Sequence, residues 1–579
     1  MKKLLSLLLV LVLCMSLFAG CSNANDPSDN DNNASTDNNN ANQSNSADDG
    51  SEPGLAADQT YVTYLSSEPM TLDLCLRSDT YSSTVLTETL EGLTRLTAND
   101  SNDAYEYAPA GAASWESNED GTVWTFHLND NYWEDGEPVT ADDYVYSVRR
   151  FVDPATASPL GYRLNCLLNY DQVNSGELPA EELGIRAVDD KTLEVTLSAP
   201  TPYFMDLTHN MYFRPQRQDI VEQYGEKHGS EADTVISCGP FKITSWTHNS
   251  EIILEKNEKY WDADNVTLDK VVLKIIADTS TANNAFMNGE LDYISTGVAE
   301  WIEQFKNTDG VDYVTYPSAT LTYSFFNTQD AIFKNANIRK AFITAIDRVE
   351  INDMCFGGAR LPTYGWVVPT LYCGDINFRE YAGDPVQDMI DELAANGQTP
   401  KDLLLKGMEE EGLGNDPSSL KVVFSLAGTD DWFRTLGEYL QQAYGAALGI
   451  DLEINFSEWG IFIANVESGN YQIGFMGWGA GINDPYDVLS LHTTESDAIY
   501  TGWSNAEYDA LIDEASVTMD DEARAALYKQ AEDLLLKEYG VANPLATSIY
   551  NYFYRDYVTG YDEMPLSTMG YKQIQILEH

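Results

Sequence analysis

The segment Tyr471-Gln-Ile-Gly-Phe-Met-Gly-Trp-Gly-Ala-Gly-Ile-Asn-Asp-Pro485 has the pattern of a buried strand that runs into a glycine-rich turn and stops at a proline. Ile473 and Phe475 are two residues apart and therefore face the same side of a strand. Glycine within a strand often marks the close approach of a ligand or of another backbone, and three glycines follow here: Gly477, Gly479 and Gly481. Trp478 would give such a site a large flat wall. A core tryptophan in a glycine-rich loop is the alternative interpretation.

Length and composition predict a large globular protein. The chain has 579 residues, so we expect two or three domains. Apolar residues make up 43% of the chain and aromatic residues 11%, which is enough for packed interiors and excludes a wholly disordered protein. Strand and helix signals are mixed along the chain, which predicts layers of the α/β class.

The charge excludes one class of partner. The formal net charge is −59, from 92 acidic and 33 basic residues. Such a surface would repel nucleic acid and anionic lipid, so binding of either through a basic face is excluded. An acidic surface is also a common way to keep a protein soluble, so the sign of the charge identifies no substrate.

The first residues have the pattern of a secretory signal. Met1-Lys2-Lys3 supplies a positive start, and the apolar run from Leu4 to Leu17 is too short for a transmembrane helix. The run ends in Leu17-Phe18-Ala19-Gly20-Cys21, which resembles a bacterial lipobox with Phe18 where leucine is usual. This resemblance implies a lipoprotein signal peptide over 1–20 and a lipid anchor at Cys21; the alternative is an ordinary signal peptide cut nearby, with Cys21 as a free thiol. No later run of about 18 apolar residues follows, so we expect anchoring by lipid alone.

Residues 21–56 are predicted to form a disordered tether. Between Ser22 and Pro53 the chain is mainly asparagine, aspartate, serine and alanine, with no lysine or arginine, and it cannot bury enough surface to fold. A flexible segment of this length would span roughly 30 Å on average. The folded body could therefore move over the membrane that holds it.

The cysteines do not predict a disulfide framework. Five remain after Cys14 and Cys21, and they are irregularly spaced: Cys75, Cys166, Cys238, Cys355 and Cys373. The odd number and the absence of a CxxC motif favour buried thiols.

Local patterns predict several elements. Trp124, Phe126 and Leu128 alternate on one face, which predicts a strand. Thr140 or a neighbour can cap a helix that runs towards Arg150.

Three further helices are predicted. One covers Thr84 to Leu93. The other two follow Asn335 and the segment 518–521, and their apolar residues recur at helical spacing: Ile338, Phe342, Ile343 and Ile346 in the first, and Leu527, Ala531, Leu534 and Leu535 in the second.

A series of short motifs then gives a specific resemblance. Between residues 113 and 143 they are Ala113-Ser114-Trp115, Ser117, Asp120-Gly121, Trp124-Thr125-Phe126-His127-Leu128, Trp133, Asp135-Gly136 and Pro138-Val139-Thr140-Ala141-Asp142-Asp143. This block resembles the signature of the extracellular solute-binding proteins of family 5, and within that family the oligopeptide-binding proteins of bacterial ABC importers. Later matches keep the family's order and include Pro202-Tyr203-Phe204, Tyr224-Gly225-Glu226-Lys227, Gly239-Pro240-Phe241 and Gly289-Glu290-Leu291-Asp292. The resemblance covers residues 61–579 and identifies the chain as a member of this family.

The resemblance implies a two-lobe periplasmic-binding-protein-like α/β fold with an extra domain inserted in the N-terminal lobe. Carried over, lobe I would use 57–100, 216–318 and 546–579. The extra domain would be 101–215 and lobe II 319–545. Such proteins close like a hinge over a ligand held between the lobes.

The resemblance also implies the site. In the peptide binders of this family the ligand lies extended and adds as a strand, so that main-chain bonds give affinity without reading sequence. The segment Trp478-Gly479-Ala480-Gly481 matches one pairing segment, and Ser78-Asp79-Thr80-Tyr81 matches another in the opposite lobe. Asn483 and Asp484 complete the predicted ligand-binding set.

One departure from the family pattern affects the ligand. The peptide binders normally carry an aspartate, which pairs with the ligand's α-ammonium, at the position of Gly481, and some carry a basic residue at the position of Phe475. A buried ammonium without a partner is costly, so another acid would be needed; Asp484 and Asp79 are the candidates. The ligand is therefore a peptide held in a different register, or a solute without a free amine, such as a modified peptide or a sugar.

No pattern indicates an enzyme, a cofactor or a metal. The sequence has no GxSxG, HExxH or CxxC motif, and its six histidines are scattered. His492, close to the predicted site, is more typical of a hydrogen-bonded structural residue, and Asp262, Asp264 and Asp269 do not form a calcium loop. A secreted hydrolase and a binder of metal complexes remain as alternatives.

The resemblance implies the partners and the location. We expect a monomer, held by lipid on the extracytoplasmic face of the bacterial cell membrane. It would deliver its ligand to the transmembrane permease subunits of an ABC importer and would bind no nucleic acid. Uptake and signal sensing need the same cleft, so the sequence leaves both open.

Overall fold

The structure is a computed structural model that describes residues 54–99, 105–496, 498–561 and 566–579. The predicted signal peptide, Cys21 and the predicted tether up to Pro53 lie outside the described residues. The predicted tether ends three residues too late, because the main chain is already bonded at Gly54, whose carbonyl accepts the Glu578 N–H at 2.8 Å, and at Ala56, whose N–H donates to the Ile576 carbonyl at 2.8 Å.

The helices are α1 (Thr80–Thr89), α2 (Ala141–Val152), α3 (Tyr170–Asn174), α4 (Phe204–Thr208), α5 (Gln218–Tyr224), α6 (Thr279–Met287), α7 (Ala299–Lys306), α8 (Ala336–Thr344), α9 (Arg348–Cys355), α10 (Phe378–Ala382), α11 (Pro385–Ala395), α12 (Pro400–Glu410), α13 (Asp431–Leu448), α14 (Trp459–Glu467), α15 (Tyr486–Leu489), α16 (Ala506–Ser516) and α17 (Asp521–Asp533). Short 3₁₀ turns connect several of them, and α17 continues as a π-helical turn over Leu534–Glu538.

The strands are β1 (Thr60–Leu65), β2 (Thr94–Ala98), β3 (Tyr105–Pro109), β4 (Ala112–Ser117), β5 (Val123–Leu128), β6 (Ile185–Asp189), β7 (Thr192–Thr196), β8 (Phe241–Thr247), β9 (Glu251–Lys256), β10 (Lys270–Ile275), β11 (Tyr293–Ser295), β12 (Val311–Phe326), β13 (Arg360–Pro362), β14 (Tyr372–Cys373), β15 (Ile376–Asn377), β16 (Val422–Leu426), β17 (Leu452–Phe456), β18 (Ile473–Gly479), β19 (Ala542–Arg555), β20 (Val558–Thr559) and β21 (Gln575–Ile576).

The strands form three larger sheets. One has the order β1-β10-β9-β8, with β1 parallel to β10. The second has the order β11-β19-β12-β18-β16-β17, with β13 also paired to β19. The third, β4-β5-β7-β6, is antiparallel and lies wholly within the sequence segment predicted as the extra domain.

Two long strands connect the hydrophobic cores. The largest core draws on residues between 321 and 546, and a second core draws mainly on 61–273 and 554–576. β12 and β19 pair along most of their length and reach both regions: Phe325 lies in the largest core, whereas Val314 and Tyr554 pack with the second. These strands therefore have the placement expected of lobe connectors. The predicted domain boundaries stay a prediction.

The helix caps predicted from sequence are present, with one shift. Thr140 and Asp143 form a capping box at the start of α2, and the side chain of Asn335 caps α8. The first helix starts at Thr80, four residues before the predicted Thr84, because the Asp79 carboxylate accepts the Ser82 N–H at 2.7 Å.

Burial agrees with the residue patterns. Phe126 and Leu128 are buried in β5 as predicted, and Trp124 is partly buried beside them. The five predicted buried thiols are buried and free of disulfides. Within the described ranges, no helix is both long and apolar enough to cross a membrane.

Candidate functional site

The glycine-rich segment is a strand with one open edge. β18 pairs with β12 over its whole length, but with β16 only at Ile473 and Gly474. Within the described part of the chain, no other strand pairs with β18. The second edge of β18 is therefore unpaired from Phe475 to Gly479.

The register shows which backbone groups this edge offers. The Ala480 N–H donates to the Ala319 carbonyl at 2.9 Å, so alternate residues back from Ala480 direct their peptide groups towards β12. Backbone groups alternate between the two edges of an antiparallel pair. Gly477 and Gly479 therefore direct their N–H and C=O groups to the open edge, where an extended ligand could pair with them.

The side-chain environment keeps this edge clear. Gly477 and Gly479 are exposed. A Cβ atom at Gly477 would meet only the Leu321 carbonyl, at 3.6 Å, so the space over that residue is open. Trp478 is partly buried against the largest core, and its indole N–H has no hydrogen-bond partner among the described residues. The alternative of a core tryptophan in a glycine-rich loop therefore stays open as to packing, although the segment around Trp478 is a strand and not a loop.

The open edge ends at Gly481. The Gly481 N–H donates to Asp487 Oδ2 at 2.7 Å, and the Gly481 carbonyl accepts from Asn210 Nδ2 at 3.1 Å. Both backbone groups of Gly481 are thus engaged, unlike those of Gly477 and Gly479. Ile482 packs into the second core. The turn after β18 is therefore fastened to residues more than 200 positions earlier in the chain.

An ion pair and a ring stack also hold the turn after β18. We call the contacts of this turn (Gly481, Ile482, Tyr486 and Asp487) with Arg163, Tyr203 and Asn210 the junction. Arg163 donates to the Asp487 carboxylate, whose side chain is 1% exposed. Burial works against the charge of Arg163, but the Asp487 carboxylate more than offsets it, so the pKa of Arg163 is raised. One position before Asp487, the ring of Tyr486 stacks on Tyr203 with centroids 4.7 Å apart.

A cavity adjoins this junction. It encloses about 110 Å³, which is room for several water molecules. Gly481 and Asn483 line it on one side, and His209, Asn210 and Arg214 line it on another. Two predicted site residues therefore face one interior space, together with residues that the sequence did not identify as functional.

The two acids predicted to replace the missing aspartate are engaged elsewhere. Asp484 is 1% exposed and lies 3.4 Å from Arg524 Nε. Burial raises its pKa to about 6 despite the nearby Arg524 charge. Asp79 caps α1 and accepts both the N–H and the hydroxyl of Ser82 at 2.7 Å. Asp484 therefore already has a cationic partner, whereas Asp79 is bonded to neutral groups of Ser82. Their assignment as partners of an ammonium group stays a prediction.

The segment Ser78–Tyr81 differs from the second pairing segment implied by the resemblance. Thr80 and Tyr81 form the first turn of α1, so they offer a helix start to a ligand and not an extended strand. Tyr212 is buried near Arg163 and Arg77: burial raises its pKa, and the two guanidinium groups partly offset the increase. Ser78–Tyr81 is not among the residues that line the cavity.

Metal-binding side chains are not clustered in the described part of the chain. No group of three or more His, Cys, Asp or Glu side chains in the described ranges could hold a metal ion. His492 is buried, and its ring packs edge-on against Trp366 with centroids 4.4 Å apart. Burial lowers its pKa to about 3. Neither ring nitrogen has a hydrogen-bond partner among the described residues, so the prediction of a hydrogen-bonded structural histidine is wrong.

Several residues at the junction could not be found from sequence spacing. Arg163, His209, Asn210 and Arg214 come from a different part of the chain, and only the fold brings them to Gly481. Asp487 is closer in sequence. It lies six residues after Gly481, so spacing allows it to reach back to the Gly481 N–H.

Comparison with known families assigns the chain to one class of protein. The family described as bacterial extracellular solute-binding proteins, family 5 Middle, matches residues 106–499. The chain therefore belongs to the bacterial extracellular solute-binding proteins of family 5. The two-lobe α/β fold predicted from the resemblance is confirmed.

Individual relatives agree with this assignment. The chain is 33% identical to the oligopeptide-binding protein OppA of Bacillus subtilis over 85% of this chain and 87% of that protein. The substrate-binding domain of an oligopeptide ABC transporter from Bacillus anthracis superposes with a TM-score of 0.72 at 28% identity, covering 91% of this chain and 100% of that one. Haemophilus influenzae OppA, in complex with RPPGFSPFR, superposes with a TM-score of 0.71 at 27% identity, covering 90% and 100%.

Proposed function

We propose that this protein is the substrate-binding subunit of an ABC importer and that it captures oligopeptides in a cleft between its two lobes. The single observation that carries the proposal is the unpaired edge of β18, where Gly477 and Gly479 can pair with the main chain of an extended peptide. Main-chain pairing requires no particular side chain, so the protein would accept mixed sequences.

The relatives support the choice of ligand. The Bacillus subtilis protein is an oligopeptide-binding protein, and the Haemophilus protein was solved with a bound nonapeptide. Sugars, metal complexes and hydrolytic turnover have no comparable support. We therefore propose a binding protein that needs no cofactor and performs no chemistry.

The proposed site combines an edge and a junction. Gly477 and Gly479 would pair with the ligand, and Trp478 would border one of its side chains. Gly481 and Asn483 would meet one ligand end at the cavity. The first turn of α1 at Ser78–Tyr81 would contribute from the opposite lobe, in agreement with the proposed lobe boundaries.

The proposed location follows from the leader and the family. The lipobox-like residues before Cys21 would anchor a monomeric protein by lipid to the extracytoplasmic face of the cell membrane. From there it would deliver its ligand to the transmembrane permease subunits. Residues 21–53 would act as the tether.

Native mass spectrometry of the purified protein, without its lipid anchor, tests the proposal. We expect a set of bound masses that dissociate as mixed peptides on denaturation. A single sugar or metal complex, or conversion of added peptides to products, would contradict it.

A further inference from the structure

The cavity at the end of the open edge is lined by Arg214 and Asn483, which can donate hydrogen bonds, and by His209. Arg214 is 1% exposed; its guanidinium donates to the Leu90 carbonyl, and its Nε has no partner among the described residues. His209 is 5% exposed; its Nε2 can donate to Asp206 at 3.4 Å, and in that tautomer Nδ1, which has no partner among the described residues, is an acceptor. Both side chains line the cavity.

Asn483 adds a donor of fixed orientation. Its Oδ1 accepts the Tyr372 N–H at 3.0 Å, so the group that it can offer to a ligand is the NH₂. None of the described residues that line the cavity is acidic. Among the described residues, the cavity therefore offers donors to an oxygen acceptor and no carboxylate to a cation.

The side chains beside Gly481 likewise favour an oxygen acceptor over a cation. Arg163 Nη2 lies 3.5 Å from the position that a Cβ atom of Gly481 would occupy, and Arg163 Nε has no partner within the described ranges. The nearby Asp487 carboxylate is already shared between Arg163 and the Gly481 N–H. An ammonium group placed here would lose its water without gaining a free carboxylate.

We propose that the ligand end that reaches Gly481 carries oxygen acceptors, as an N-acyl carbonyl or a terminal carboxylate, and not a free ammonium. This inference rests on the proposed function, since it assigns the chemistry of one end of the same peptide site. Arg214 and Asn483 are the residues that would select that end.

A set of matched ligands separates the two sources of the acceptor. A peptide eluted from the purified protein is sequenced and then synthesised in four forms: free at both ends, N-acetylated, C-amidated, and blocked at both ends. Calorimetry gives the affinity of each. An N-acyl end at Gly481 predicts that N-acetylation preserves or strengthens binding. A carboxylate end there predicts that amidation weakens binding about tenfold.

Asn483→Asp locates the effect in the cavity. The substitution keeps the shape and can keep the bond from Tyr372, but it replaces an NH₂ donor with a carboxylate. We expect it to weaken the tightest-binding form about tenfold. Asn415→Asp makes the same change in an exposed loop and should leave every affinity unchanged.

The outcomes are distinct. The inference is overturned if N-acetylation abolishes binding while C-amidation leaves it unchanged, or if Asn483→Asp leaves the affinity of the tightest-binding form unchanged or increases it. The comparison of the four forms on the unsubstituted protein does not depend on the folding of the variant. If no peptide elutes from the purified protein, the proposed function itself fails.

Discussion

Arg163 and Asp487, 324 residues apart in the chain, form an ion pair in which the side chains are 18% and 1% exposed. The pair joins the turn after β18 to a segment that precedes α3, and it does so next to Gly481. Because Asp487 also accepts the Gly481 N–H, the same carboxylate fixes the backbone at the end of the open edge.

The first prediction concerns the strength of this pair. Arg163→Gln and Asp487→Asn each leave a buried charge without its partner, so each should lower the free energy of unfolding by about 1–3 kcal/mol. The double variant should lose less than the sum, with a coupling of about 1–2 kcal/mol in urea denaturation. The exposed pair Arg186 and Glu194, with side chains 62% and 24% exposed, is the control and should couple by no more than about 0.5 kcal/mol. Equal coupling in the two pairs would contradict the prediction.

The second prediction revises an expectation from sequence. In the usual peptide register, Gly481→Asp should strengthen the binding of peptides with a free amine. In the structure a Cβ atom at 481 would lie 3.5 Å from Arg163 Nη2, so the new carboxylate should pair with Arg163. We therefore expect Gly481→Asp alone to change that affinity by less than roughly threefold, and Gly481→Asp with Arg163→Gln to increase it roughly tenfold.

Calorimetry on folded variants provides the measurement. Gly460→Asp is the control, because a Cβ atom at Gly460 meets nothing within 4 Å and the residue lies on an exposed helix. An increase with Gly481→Asp alone, equal to that of the double variant, would show that Arg163 does not capture the added carboxylate.

The third prediction concerns pH. Burial raises the pKa of Glu88 to about 7, against the opposing effect of Arg95. A carboxyl group with a raised folded-state pKa binds its proton more tightly in the folded protein, so its contribution to stability is lost as pH rises from about 4.5 to about 7. Glu88→Gln should remove this loss. The decrease in the free energy of unfolding between pH 5 and pH 8 should then be smaller by an amount on the order of 1–3 kcal/mol. Urea denaturation at pH 5 and pH 8 checks it, and parallel pH dependences of the two proteins would contradict it.

Local sequence patterns predicted much of the fold because they act over a few residues. The cap at Thr140, the alternation of Phe126 and Leu128, and the strand that contains Ile473 and Phe475 depend on neighbours in the chain, and each is present. The start of α1 was wrong by one turn, because Asp79 was not recognised as the cap that satisfies the Ser82 N–H.

The site was harder to predict because its partners are distant in sequence. Spacing gives no reason to place Asn210 on the Gly481 carbonyl or Arg163 on Asp487. Asp484 was a reasonable candidate for an ammonium partner from its position, but burial and Arg524 engage it. Whether an acid such as Asp484 faces a cleft or is buried beside an arginine depends on packing, which the sequence alone does not provide.

The central claim is that an extended peptide pairs with the open edge of β18, and a scan of N-methylated ligands tests it most directly. Each N-methyl group removes one main-chain donor, and only alternate residues of an added strand direct their donors to the partner strand. Calorimetry should therefore give affinities that fall about tenfold or more at every second position of a peptide recovered with the protein, and change little between them. A loss that is uniform along the peptide, or absent, would contradict strand addition at Gly477 and Gly479.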